Sequence, residues 1–218
     1  MIKIIVADDH CLMREGLRAI LSSDPELEVI GEATNGGEVL DLARECRADL
    51  LLLDLSMPGT CGIDLIKRVR TRAPGLGILV LTMHSAEHYA VRSFRAGAKG
   101  FLTKDNAPAE LVSAVRQVAR GAPYIDRNVA EQLAFDVVHP KDVLPHSRLS
   151  DRELQIFSML VSGGSVTATA VALSLSVKTV STHKTRILQK LDMDNFPQMV
   201  QYALEYGLMR QAGLESMR

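Results

Sequence analysis

Three carboxylates, a hydroxyl and an ammonium stand at the ends of apolar runs in the first half of this 218-residue chain: Asp8 and Asp9, Asp54, Thr82 and Lys104. Carboxylate oxygens suit a hard divalent cation, Mg2+ or Mn2+, which is usually held by one or two carboxylates with waters and phosphate oxygens. Asp9 and Asp54, with Asp8 acting through water, would supply that set without a closed cage. A carboxylate can also serve as the nucleophile that accepts a phosphoryl group. The Lys104 ammonium would add a fixed positive charge, and the Thr82 hydroxyl could donate to a phosphate oxygen and so report the transfer. No enzyme base or substrate pocket is implied, because the carboxylate itself is the acceptor.

The elements that must bring these groups together are readable in the pattern. Ile2–Ala7, Leu50–Leu53, Ile78–Leu81 and Ala98–Leu102 are continuous apolar runs, predicted as buried parallel strands. In an open α/β sheet the carboxyl ends of the strands converge on one crevice. Up to about residue 121 strand and helix alternate five times, which predicts a doubly wound five-stranded parallel sheet covered on both faces. Leu12, Met13, Leu17, Ile20 and Leu21 form the apolar stripe of the first helix; residues 36–46, 63–72, 87–96 and 107–120 read as the later ones. Pro58, Gly59 and Gly62 mark a loop behind Asp54, and Gly97 and Gly100 bracket the entry to strand five. A lone aspartate after a strand is usually a helix cap and a lone lysine a surface group. Five such groups at the ends of the right strands argue against coincidence.

Composition narrows the class of protein. The chain is 47% hydrophobic with a formal net charge of −1, enough for two small domains each with a core. No apolar stretch is long enough to span a bilayer, and the first ten residues enter a strand rather than a signal peptide. Cys11, Cys46 and Cys61 lack CxxC spacing and read as reduced thiols of a cytoplasmic protein. His10, Cys11, Cys61 and His84 also fall on the strand-end loops. A redox or Zn2+ input through them is the weaker alternative to plain loop and packing residues.

Beyond Gly121, Ala122 and Pro123 the periodicity fades. Residues 136–147, with Pro140, Pro145, His139 and His146, read as a linker, and 126–135 as one extra helix. Helical signals return at Ser150, whose spacing to Glu153 makes a capping box ahead of Leu154, Ile156, Phe157 and Leu160. Gly163 and Gly164 stop that helix. A short segment runs to Leu173, a longer helix covers about 177–191, and a last one starts at Asn195 and runs to about Tyr206. From Val166 to Leu191 there is no Asp or Glu, while Lys178, Lys184, Arg186 and Lys190 all fall there. A basic stretch in a near-neutral chain is the electrostatic footprint of a nucleic-acid binder.

Residues 1–121 resemble the receiver domain of a two-component response regulator. The resemblance rests on Asp8-Asp9, Asp54-Leu55-Ser56-Met57-Pro58-Gly59, Leu81-Thr82 and Gly100-Phe101-Leu102-Thr103-Lys104. It implies that Asp54 accepts phosphate from a histidine kinase, that the Ser56 carbonyl completes a metal site with Asp8, Asp9 and Asp54, and that Phe101 holds the aromatic switch position. Phe lacks the hydroxyl that Tyr carries in some relatives, which leaves a steric switch. Two rivals fit less well. A haloacid-dehalogenase-like phosphotransferase expects Asp-x-Asp at strand one, whereas Asp8 and Asp9 are adjacent; a degenerate docking receiver would lack one of the five residues.

Residues 148–212 resemble the LuxR-type helix-turn-helix of NarL/FixJ-type regulators, through Leu149-Ser150-Asp151-Arg152-Glu153-Leu154, Ser176-Val177-Lys178-Thr179-Val180-Ser181-Thr182-His183 and Ile187-Leu188-Gln189-Lys190-Leu191. The expected layout is a receiver over 1–121, a linker over 122–147, this DNA-binding domain and a tail over 213–218. The resemblance implies a double-stranded DNA operator and a homodimer on activation, with surface of the last helix used in dimerisation. One departure is Thr167-Ala168-Thr169-Ala170, which replaces a charged stretch and puts Thr169 where an apolar residue packs.

At about 100° per residue, Val177, Val180, Ile187, Leu188 and Leu191 cluster on one side and are expected to face the core. Lys178, Thr182, Thr185 and Gln189 lie opposite. Recognition helices present their N-terminal residues to bases, which favours Lys178, Thr182 and Thr185. The family adds Ser181 at the margin, and Thr179 and Lys184 complete the candidate DNA-binding set. Lys184, beside the apolar stripe, is expected to lay its stem there and extend its ammonium outward. The threonines could reach bases by hydroxyl or by methyl.

Overall fold

The runs predicted as strands pair in parallel because each is apolar on both faces and must be covered on both. β1 (Ile2–Ala7), β2 (Leu27–Ala33), β3 (Leu50–Leu53), β4 (Gly77–Thr82) and β5 (Gly100–Thr103) form one five-stranded sheet in the order β2-β1-β3-β4-β5. The computed structural model describes residues 1–57, 62–83, 86–105, 108–125, 130, 145–206 and 208. Every residue of β3 and β4 is buried. Edge strand β2 is half-buried through its middle, which is why its residues do not stand out as an apolar run.

Among the described residues five helices cover the sheet: α1 (Cys11–Ser22), α2 (Gly36–Glu45), α3 (Gly62–Arg72), α4 (Ala86–Ala96) and α5 (Pro108–Ala119). One core joins Ile4, Val6, Leu50, Leu52, Leu79 and Leu81 to Leu17 and Leu21 of α1 and Leu111 and Val115 of α5. The alternate strand residues point to the opposite face, where α2 packs on α3 and α3 on α4. α2 starts at Asn35, whose side chain accepts from the Gly37 and Glu38 amides at 3.0 and 3.1 Å.

Three readings shift in this unit. Leu12, placed in the apolar stripe of α1, is 83% exposed, since the first turn of α1 projects past the core that Leu17 and Leu21 reach. Thr82 belongs to β4 rather than following it. β5 begins at Gly100, not Ala98, because Gly97 adopts φ +111 and holds the entry to the strand in a turn. Glycine is required at both positions: a Cβ on Gly97 would lie 2.7 Å from the Arg70 side chain, and one on Gly100 would lie 2.7 Å from Leu79.

The chain divides into two compact units, 1–139 and 140–218. The described residues of the second begin with a 3-10 turn at Pro145–Arg148, followed by α6 (Asp151–Val161), α7 (Val166–Ala172), α8 (Val177–Leu191) and α9 (Phe196–Glu205). His146, read as linker, is buried, with Nδ1 2.9 Å from the Tyr202 hydroxyl on α9. The Ser150–Glu153 capping box is formed in both directions, and Ser176 and Asn195 cap α8 and α9. Residues 136–144 of the expected linker and, apart from Ala130, the extra helix over 126–135 lie outside the described residues. So do Pro58, Gly59, Cys61 and His84. No helix among the described residues is long and apolar enough to cross a membrane.

Candidate functional sites

Three strand ends carry the charged groups of the acidic centre, each extended one residue by the sheet ladder, and Thr82 closes β4 beside them. The Asp8 amide donates to the Ala33 carbonyl, the Asp54 amide to the Ala7 carbonyl and the Lys104 amide to the Thr82 carbonyl, at 2.9–3.0 Å. Backbone pairing therefore aims three charged side chains at one point. Lys104 Nζ lies 2.6 Å from Asp8 Oδ2 and 2.7 Å from Asp54 Oδ2, with all three side chains at most 4% exposed. Burial works against the Lys104 charge, but the carboxylates of Asp54 and Asp8 outweigh it and hold its pKa above the ordinary lysine value.

Asp9 is more open, and one ligand atom each from Asp8, Asp9, His10 and Asp54 lies within 4.8 Å of the others. Three carboxylates against one ammonium leave an excess of negative charge that a divalent cation matches. The oxygen-rich donor set fits Mg2+ or Mn2+. The Ser56 amide donates to Asp54 Oδ1 at 3.1 Å, which steadies the turn that would offer the Ser56 carbonyl. Thr82 and Phe101 are fully buried. His10, weighed as a redox or Zn2+ input, places Nδ1 2.9 Å from Asp9 Oδ1. Cys11 is exposed, with Sγ 3.6 Å from Glu15 Oε1.

Sequence reasoning missed Arg14. Its Nη1 donates to the Asp8 carbonyl at 2.8 Å while Nε meets Glu32 at 3.2 Å, and Arg18 joins the same glutamate. Arg14 thus ties the acidic turn to β2. The only sequence signal was a basic residue one turn into the helix after the aspartates.

In the second unit α8 carries the basic stretch. Val180, Ile187 and Leu191 are buried, as the helical wheel predicts, but Val177 is 48% exposed. It is the first helical residue, with no preceding turn to fold it inward. Lys178, Ser181, Thr182 and Thr185 are exposed. Thr179 is half-buried and works as part of the cap: its amide donates to Ser176 Oγ at 3.0 Å and the two hydroxyls lie 2.7 Å apart. Thr182 Oγ1 donates to the Lys178 carbonyl at 2.9 Å, and Thr185 Oγ1 to the Ser181 carbonyl at 3.2 Å.

Two of the basic residues are engaged inside the unit. Lys184, expected to extend its ammonium outward, instead sets it 4.8 Å above the Phe196 ring, a cation–π contact. Lys190 meets the buried Glu153 at 2.6 Å. Burial pushes the Glu153 carboxyl up, but Lys190 and the Ser150 amide and hydroxyl together hold it below the usual range. On α7, Thr169 is fully buried and its hydroxyl has no partner among the described residues. This is the position where an apolar residue was expected. Arg152 braces the turn after α7 by donating to the Leu173 carbonyl at 3.0 Å.

A 2-1-3-4-5 parallel sheet with an acidic centre at its strand ends, joined to a capped helix-turn-helix, defines the response-regulator class. Residues 4–116 match the response regulator receiver domain family, and residues 147–203 the luxR family of bacterial regulatory proteins. Response regulator UvrY of Escherichia coli strain K12 is 35% identical over 99% of this chain and 100% of its own length. Oxygen regulatory protein NreC of Staphylococcus haemolyticus is 38% identical over 95% and 99%. Among solved structures, RcsB from Salmonella enterica serovar Typhimurium, bound to a promoter in the presence of the phosphomimetic BeF3−, matches with a TM-score of 0.66. It is 27% identical over 92% of this chain and 97% of that one. The chain belongs to the two-component response regulators of the NarL/FixJ type, with a receiver domain and a LuxR-type helix-turn-helix domain.

Proposed function

We propose that this protein is a transcription regulator switched by phosphorylation of Asp54. The observation that carries the reading is the convergence of Lys104 Nζ on Asp8 and Asp54 at 2.6 and 2.7 Å, at the ends of three different strands. A histidine kinase is the donor. An Asp54 carboxylate oxygen attacks phosphorus, the O–P bond forms as the N–P bond of phosphohistidine breaks, and the imidazole leaves with that electron pair and takes up a proton. Asp8, Asp9, Asp54 and the Ser56 carbonyl would hold Mg2+ or Mn2+, which when bound neutralises charge on the phosphoryl oxygens.

After transfer Asp54 carries a phosphate with up to two negative charges in place of one. Lys104, already between Asp8 and Asp54, moves its ammonium onto the new oxygens. The Thr82 hydroxyl donates to one of them. Phe101, packed in the core of β5, follows by steric repacking, with no hydroxyl to anchor it. These shifts favour a state that dimerises and binds promoter DNA. The promoter-bound, phosphomimetic state in which RcsB has been captured supports the same sequence of events here.

In the second unit Lys178 serves as a phosphate ligand at the start of α8, and Ser181, Thr182 and Thr185 face the bases. Thr179 keeps the cap, and Lys184 supports α8 from Phe196. Sedimentation and duplex binding, with and without a small phosphodonor and Mg2+, test the switch. A rise in mass and affinity on phosphorylation is expected; unchanged values in both would remove the switch.

A further inference from the structure

Val177 changes the character of the reading face of α8. Val177, Ser181 and Thr185 follow one another at i, i+4 and i+8, so they form one ridge, with Lys178 and Thr182 on the next. Val177 is 48% exposed and has no polar atom to offer. A threonine hydroxyl has a single proton. In Thr182 it is held by the Lys178 carbonyl and in Thr185 by the Ser181 carbonyl, the i to i−4 back-bond available to helical threonine. Neither can then donate to the N7, O6 or O4 acceptors of the major groove without breaking its own helix bond. What is left to meet a base edge is the methyl and, toward the amino groups of adenine and cytosine only, the acceptor side of the oxygen; the exposed Val177 offers methyls alone. The apolar feature of the major groove is the C5-methyl of thymine.

We infer that α8 reads its DNA chiefly through thymine methyl groups, with Val177, Thr182 and Thr185 as the reading side chains. Ser181, exposed and with a hydroxyl unbonded among the described residues, is the hydrogen-bonding reader beside them. The inference rests on the DNA-binding reading above and deepens it by naming the base feature recognised.

The test uses the full-length protein, phosphorylated with a small phosphodonor, to select duplexes from a randomised pool. Each thymine of the selected duplex is then replaced by deoxyuridine, which removes only the methyl. Each contacted thymine should cost about fourfold in affinity, the value of one buried methyl-sized group. Thr182→Val and Thr185→Val keep a methyl and discard the hydroxyl; both should retain affinity and remain sensitive to deoxyuridine. Thr182→Ser and Val177→Ser should each lose about as much as the uracil duplex and become indifferent to uracil at one position. Affinity unchanged by every deoxyuridine, or lost in Thr182→Val and kept in Thr182→Ser, would overturn the inference. Selection of no sequence at all would overturn the DNA-binding reading on which it stands.

Discussion

The acidic centre and the outer face of α8 solve opposite problems. Asp8, Asp54, Thr82 and Phe101 are at most 3% exposed, and Lys104 is sealed against two carboxylates. Lys178, Ser181, Thr182 and Thr185 stand in solvent. In the first region the groups proposed to do chemistry, Asp8, Asp54 and Lys104, are buried and paired with one another, so a change of charge at one acts on the others with little solvent screening. In the second, stability is carried by the inner face, by Val180, Ile187 and Leu191 and by the Lys190–Glu153 pair. The outer face is thereby free to specialise. A switch needs the first arrangement, and a reader of sequence needs the second.

The contrast breaks most visibly at lysine. Lys104→Met leaves Asp8 and Asp54 buried against each other and should cost the receiver about 3–5 kcal/mol in metal-free buffer, with part of the loss returned by Mg2+. Lys178→Met should change stability by no more than about 0.5 kcal/mol. Chemical denaturation of both variants checks the pair, and equal effects would erase the distinction. At the exposed site the loss should show in binding instead: Lys178→Ala should weaken all duplexes alike and lower the salt slope by about 1.

Smaller effects sharpen the account. Glu153 is held below the usual glutamate range. Its contribution is therefore present above its unfolded pKa, about 4.3, and is lost as pH falls through the lower folded value. Lys190→Ala removes one cause of the shift and should move the acid unfolding midpoint of the second unit upward, with about 1 kcal/mol lost at neutral pH. Lys104 runs the other way. Its raised pKa contributes stability fully present below about 10.4 and lost as pH rises through the folded value. Thr169→Val replaces a buried hydroxyl that lacks a partner by a methyl of the same shape, and should stabilise the second unit by about 1 kcal/mol in thermal unfolding.

The same contrast governs what the sequence makes legible. Buried strands declare themselves because both faces are apolar, so β1, β3 and β4 and the residues at their ends could be placed, while half-buried β2 could not. Caps at Ser150 and Asn195 are local signals and appear where expected. Leu12 and Val177 escape a periodicity argument because each lies in the first turn of its helix, where the apolar stripe has run past its support. Lys184 over Phe196, Lys190 with Glu153 and Arg14 at Asp8 are contacts between separate elements, and no single-helix pattern contains them. The prolines beside His146 point to a linker, yet its partner Tyr202 lies 56 residues away.

Intact-protein mass measurement after incubation with a small phosphodonor, with and without Mg2+, tests the central claim most directly. The account predicts one added phosphate on the wild type in Mg2+, little in chelator, and none on Asp54→Asn. Labelling of Asp54→Asn to the wild-type extent would contradict it.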